Sequence, residues 1–68
     1  MQNYIIIWSH RHGISPVLFK TKREINDYSE EAAWKILEEL GYDIEPDRMD
    51  EHIENFSLLY PDEFQLLP

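Results

Sequence analysis

The 68-residue chain contains no cysteine and only two glycines, Gly13 and Gly41, which lie far apart. Without cysteine, a disulfide scaffold, a thiol enzyme and a cysteine-ligated zinc site are excluded. Two distant glycines also exclude a glycine-rich phosphate loop. The longest apolar run, residues 4–8, is much shorter than the roughly 20 residues that a membrane span needs. We therefore expect a cytoplasmic protein without a cofactor and without membrane contact.

Positive charge is scarce: 6 Lys and Arg stand against 14 Asp and Glu, which gives a formal net charge of −8. The few basic residues are concentrated in residues 1–25, and nearly all of the acids lie in residues 26–68. This excess of negative charge argues against direct binding of nucleic acid, which depends on neutralising phosphates. It favours a partner with a basic surface.

The amino-terminal third has the pattern of a β-hairpin. Residues 4–9 are mostly β-branched or aromatic, which is typical of a strand. Gly13 accepts the backbone angles of a reversal at residues 12–15, and a second strand follows from Pro16. We expect the hairpin to span residues 3–20 of a single domain, 1–68.

Helical spacing follows the hairpin. Thr21 and Glu24 have the spacing of a capping box, apolar residues then recur at intervals of three and four, and Gly41 is suited to end the helix. The first helix should run from about 22 to 40, or from about 28 if Asp27 is the cap. Pro46 suits the first turn of a second helix, predicted over about 46–60, in which Met49, His52, Ile53, Phe56 and Leu59 or Tyr60 would share one face. A third strand is predicted over 63–67. The expected fold is α+β, in the order β-β-α-α-β, with two helices packed on one face of a small antiparallel sheet.

Both faces of the first strand are apolar. Alternate residues point to opposite sides of a strand, and two helices can cover only one side of a sheet. The uncovered face would leave either Ile5 and Ile7, or else Tyr4, Ile6 and Trp8, partly exposed. We expect two copies to form a homodimer through it, with Ile5 and Ile7 as the self-association residues. The alternative is that the carboxy-terminal tail, with Phe64, Leu66 and Leu67, covers this face.

Carboxylates are crowded between residues 30 and 54. A row of carboxylates on helices can take the place of phosphates on a basic protein surface. Trp34 lies beside the apolar stripe of the first helix, where it would serve as an anchor for the partner. The alternative is that it packs against the second helix or the sheet edge. The predicted partner-binding residues are Glu30, Glu31, Glu38, Glu39, Asp47, Asp50, Glu51 and Trp34.

Two histidines, His10 and His12, are spaced so that a strand would place them on one face. With a third ligand from His52, Asp50 or Glu51 they would form a metal site, and the protein would be a small metal-dependent hydrolase. In the other interpretation they cap the backbone at the end of the hairpin.

The segment Trp8-Ser9-His10-Arg11-His12-Gly13, followed by residues 17–21 and Glu24, resembles a loose group of small bacteriophage and bacterial proteins. These have a strand, an S-H-R-H-G turn, a second strand ending in F-x-T, and a helix. The resemblance covers about the first 25 residues, and Ser15 replaces an acid that is common in the group.

The resemblance implies a phage-type accessory protein that acts in the host cytoplasm. Small acidic phage proteins often inhibit host nucleic-acid machinery, as anti-CRISPR and anti-restriction proteins do. We expect a non-enzymatic inhibitor that mimics DNA on a basic host defence protein. The alternatives are the hydrolase at His10 and His12, and an assembly module that acts through Ile5 and Ile7.

Overall fold

Three strands and one helix make up the part of the chain that the computed structural model describes, residues 1–44 and 50–59. The elements are β1 (Gln2–His10), β2 (Gly13–Thr21), α1 (Glu30–Glu39) and β3 (His52–Leu59). The strands form one sheet in the order β2-β1-β3, and both pairs are antiparallel. The prediction of two helices in the order β-β-α-α-β is wrong, because a strand occupies the region expected to form the second helix.

The hairpin turns at Arg11 and His12, earlier than the predicted reversal at residues 12–15. Gly13 follows with φ +127°, a conformation that L side chains rarely adopt. Pro16 pairs with Ile7 from the edge strand β2. Its missing N–H is tolerated there, because an edge strand has no neighbour on its outer side.

The helix begins at Glu30, later than either predicted start. Ser29 is the N-cap, and its Oγ accepts a hydrogen bond from the Ala32 N–H at 3.2 Å. Asp27 Oδ1 accepts from the Ser29 N–H at 2.9 Å and fixes the residue that precedes the helix. Thr21 Oγ1 accepts from the nearby Arg23 N–H at 3.0 Å, so it holds a local turn and is not part of a capping box.

Gly41 ends the helix, as its sequence position predicted. It has φ +92°, and its N–H donates to the Glu38 carbonyl at 3.0 Å. The Tyr42 N–H donates to the Leu37 carbonyl at 3.1 Å. This pair of bonds is a Schellman motif, which turns the chain back along the helix.

A β-bulge in β3 explains why the spacing of apolar residues in 52–59 indicated a helix. The register of β3 against β1 shifts between Ile7 and Trp8, where Ile7 pairs with Asn55 and Trp8 pairs with Ile53. The extra residue is a β-bulge, and it places Ile53 and Phe56 on the same face although they are three positions apart. Two side chains on one face of this strand are therefore three residues apart, whereas on a regular strand they are two apart. The predicted third strand, 63–67, lies outside the described residues.

The core lies between α1 and one face of the sheet. On β1 the side chains of this face are almost inaccessible: Tyr4 is 1% exposed and Ile6 0%. Leu37 of α1 is also fully buried. On the opposite face Ile5 and Ile7 are half-buried. The core residues are Tyr4, Ile6, Trp8, Val17, Ala33, Trp34, Ile36, Leu37 and Phe56.

Candidate partner-binding groove

An open groove of about 710 Å³ runs along α1 and the segment that follows it. One wall is the exposed side of the helix, and the other is the chain after the Schellman turn. Four carboxylates and a single amine line the groove, together with two aromatic rings. The lining residues are Glu30, Glu31, Trp34, Lys35, Glu38, Tyr42, Asp43 and Ile44.

The helical repeat builds the first wall. Residues three and four apart share one side of a helix, so Glu30, Trp34 and Glu38 form a row along it. The Schellman turn at Gly41 builds the second wall, because it directs Tyr42 and Asp43 back toward the helix.

Aromatic rings form the floor of the groove. Trp34 is only 8% exposed, and its Nε1 donates to Glu30 Oε1 at 3.4 Å. Trp8 lies beneath, with edge-to-face contacts to Trp34 at 6.4 Å and to Tyr42 at 5.8 Å between ring centroids. Tyr42 is 43% exposed, so one ring remains accessible beside the carboxylates. Aromatic faces and carboxylates together attract cations.

The negative charge of the groove is largely uncompensated. Lys35 Nζ lies 4.0 Å from Glu31 Oε1, an exposed pair one helical turn apart. Within residues 1–44 and 50–59, no cation lies at ion-pair distance from Glu38 or Asp43. The groove therefore presents an excess of negative charge to a ligand.

Glu39 differs from the other predicted partner-binding acids of α1. It does not line the groove, and its carboxylate pairs with Arg23, with Nη2 2.7 Å from Oε2. The hydrogen bond and the charge of Arg23 lower the pKa of Glu39, and the same contact raises the pKa of Arg23. The local charge of Glu39 is thus neutralised.

The remaining predicted acids lie beyond the helix. Asp50 is exposed and lies two residues before β3, and Asp47 lies outside the described residues. Glu51 lines a second cavity of about 370 Å³, and Asp43 lines both this cavity and the groove. Asp43 therefore joins the groove to the second cavity, whose lining includes Arg11 as well as Glu51. The second cavity is lined by Trp8, His10, Arg11, His12, Ser15, Asp43 and Glu51.

Both ring nitrogens of His10 are engaged in hydrogen bonds. The His12 N–H donates to Nδ1 at 3.2 Å, so Nδ1 is unprotonated. In the neutral ring Nε2 therefore carries the proton and donates it to Ser15 Oγ at 2.7 Å. A histidine in this state cannot take the serine proton, and neither nitrogen is open to a metal. His10 thus fits the interpretation in which it caps the end of the hairpin.

The sequence suggested His52, Asp50 or Glu51 as a third metal ligand. Glu51 lines the same cavity as His10 and His12, whereas His52 lies apart from His10. His52 pairs with Ser9, which places it on the opposite face of the sheet, and its ring contacts Glu54. Among the described residues no group of three or more His, Asp or Glu side chains could hold a metal ion.

No family model matches this chain, and neither the curated proteins nor the solved structures contain a significant match to it. No helix in residues 1–44 or 50–59 is long and apolar enough to cross a bilayer.

The sequence-based site did not include four of the groove residues: Lys35 on the helix, and Tyr42, Asp43 and Ile44 after it. In the sequence, Gly41 indicates where the residues that follow the helix would lie. A glycine that ends a helix in a Schellman motif brings the next residue back against the last helical turn. The residues after Gly41 could therefore have been placed beside the acids of α1.

Proposed function

We propose that the protein is a non-enzymatic binding protein whose acidic groove engages a basic protein surface. The observation that carries this proposal is the row of uncompensated carboxylates above an aromatic floor. The partner class we propose is a host protein that binds nucleic acid, such as a bacterial defence complex. The protein would then be an inhibitor of the anti-CRISPR or anti-restriction kind, consistent with its resemblance to phage-type proteins.

The groove suits arginine or lysine side chains. The aliphatic stem of such a side chain can pack on Tyr42 while its charged end lies among Glu30, Glu38 and Asp43. Glu30 and Glu38 are two turns apart, about 12 Å along the helix at 1.5 Å per residue. That distance allows the groove to hold more than one cationic side chain, as a basic surface that follows a nucleic-acid backbone would provide.

Competition with nucleic acid follows from this arrangement. A basic surface that is occupied by the carboxylates is not available to phosphates, because both bind to the same cationic side chains. The net charge of −8 also speeds the encounter with a positively charged partner and repels nucleic acid itself.

The experiment is affinity capture from bacterial lysate at low salt, with elution by short duplex DNA. We expect the immobilised protein to release a nucleic-acid-binding protein when DNA is added. A double variant, Glu30→Gln with Glu38→Gln, should retain much less of it. The matched control is Glu24→Gln with Glu39→Gln, which removes the same charge outside the groove and should retain it.

Two results would contradict the proposed function. Equal loss of capture in both double variants would show that net charge acts without the groove. A captured protein that resists both DNA and high salt would not be held by electrostatic competition, because salt screens exposed charges.

A further inference from the structure

The face of the sheet that points away from α1 carries an apolar patch on β1 and β2, to which Leu59 at the end of β3 adds. Ile14 on β2 is 64% exposed and Leu18 is 47% exposed. In the central strand, Ile5 pairs with Leu18 and Ile7 pairs with Pro16. Large exposed apolar patches are typical of interaction sites. The patch, here called the outer face, consists of Ile5, Ile7, Ile14, Pro16, Leu18 and Leu59.

The edges of the sheet are poorly suited to receive another strand. On β2, Pro16 lacks the N–H that an added strand would need. On β3, the bulge interrupts a regular ladder, and the exposed carboxylate of Glu54 disfavours an added strand. Association of this sheet should therefore use the outer face rather than strand addition at an edge.

The distribution of charge favours a contact between two copies of the chain at the outer face over one at the helix side. Two chains with a net charge of −8 repel each other wherever their acidic surfaces meet. The groove and its carboxylates lie on the helix side. On the outer face, the described strand residues include one cation, Lys20, and one carboxylate, Glu54, which contacts His52. A second copy can approach this face with the least repulsion.

We propose that two copies of the chain associate through their outer faces. The surface is complementary to itself, as a two-fold dimer requires. Two sheets stacked in this way lie about 10 Å apart, with Ile5 and Ile7 near the centre. The dimer would direct both acidic grooves outward, away from the contact.

The size of the face sets the strength of the dimer. Three strands about 4.8 Å apart, with nine-residue strands rising about 3.3 Å per residue, give a face of about 300–400 Å². A stable interface buries about 800 Å² on each partner. The dimer therefore dissociates on dilution.

Sedimentation equilibrium of the full chain over a range of concentrations tests the proposal. The average mass should rise from 8.2 kDa toward twice that value as concentration increases. Leu18→Glu should raise the dissociation constant about tenfold or more. Leu40→Glu is the matched control: Leu40 is 46% exposed on the helix side, and this variant should leave the constant unchanged. Circular dichroism establishes that both variants are folded.

The salt response separates this inference from the proposed function. Added salt screens the repulsion between two acidic copies, so the dimer should strengthen or stay unchanged, whereas partner binding in the groove should weaken. A chain that stays at 8.2 kDa at every concentration overturns the inference, as does equal weakening by both variants. In such a monomer, nuclear Overhauser contacts from the Leu18 methyl groups to Phe64 or Leu66 would show that the carboxy-terminal tail covers the outer face.

Discussion

The Arg23 guanidinium binds the Glu39 carboxylate through two hydrogen bonds, with Nη2 2.7 Å from Oε2 and Nη1 3.4 Å from Oε1. Arg23 lies in the segment between β2 and α1, so the contact joins that segment to the last turn of the helix. It also distinguishes Glu39 from the neighbouring Glu38, which lines the groove. Two adjacent acids of one helix thus have different surroundings.

Binding of a basic peptide should depend on Glu38 more than on Glu39. Glu38→Gln removes an uncompensated carboxylate from the groove, whereas Glu39→Gln removes one whose charge Arg23 already neutralises. We expect calorimetric titration with nona-arginine to show a larger loss of affinity for Glu38→Gln at equal ionic strength. Equal losses in the two variants would mean that the peptide responds only to net charge.

The accessible ring of Tyr42 should add to the binding of cationic side chains. A cation above an exposed aromatic ring gains about 0.5–1 kcal/mol, so Tyr42→Ala should weaken nona-arginine binding about two- to fivefold. Tyr42→Phe keeps the aromatic face and should bind nearly as well as the original protein. A loss of the same size in the phenylalanine variant would point to the hydroxyl group instead of the ring.

Stability should fall in acid partly through the contact between Arg23 and Glu39. The pKa of Glu39 is lowered in the folded state by its hydrogen bond to Arg23 and by the charge of Arg23. A lowered folded-state pKa stabilises the fold above the unfolded pKa, which is about 4.3 for glutamate, and this stabilisation is lost as pH falls through the folded value. Urea unfolding at several pH values should show a higher free energy of unfolding for the original chain than for Glu39→Gln at neutral pH. This difference between the two free energies should disappear in acid. A difference independent of pH would contradict this assignment.

The sequence predicted the alternation of β1 but not the elements that follow it. Tyr4 and Ile6 on one side, with Ile5 and Ile7 on the other, follow from the two-residue period of a strand. Which side α1 covers depends on packing across the whole sheet. The start at about 22 was wrong, because Thr21 and Glu24 have the spacing of a capping box but do not form one. The alternative start at about 28, with Asp27 as cap, lies two residues before the observed one, where Asp27 precedes the N-cap Ser29.

The error at β3 has one physical cause. A bulge adds one residue to a strand and changes which positions share a face. Ile53 and Phe56 are then three apart, which is also the spacing of a helix, and periodicity alone cannot separate the two cases. For the site, the acids of α1 were predictable from composition and helical spacing. The ion pair between Glu39 and Arg23 could not be predicted, because the two residues are distant in sequence.

Loss of Leu37 should destabilise the fold strongly. Leu37 is fully buried, and α1 is the only helix among the described residues that covers the sheet. Leu37→Ala should cost about 2–5 kcal/mol, against a total of roughly 3–10 kcal/mol for a chain of this size. Leu40→Ala, at a position 46% exposed, should cost about 0.5 kcal/mol or less. Urea unfolding measures both, and similar costs at the two positions would contradict the packing of α1.

His10 should show one tautomer and no response to zinc. The His12 N–H occupies Nδ1, so the proton of the neutral ring lies on Nε2 and points to Ser15 Oγ. Nitrogen–proton correlation spectra of the histidine rings at mildly alkaline pH should show the Nε2–H form, and Ser15→Ala should shift the Nε2 resonance. Because both nitrogens are engaged, zinc should leave the melting temperature unchanged, and His10→Asn should not alter that result. A zinc-dependent rise in melting temperature that disappears in His10→Asn would instead support the metal site and the hydrolase alternative.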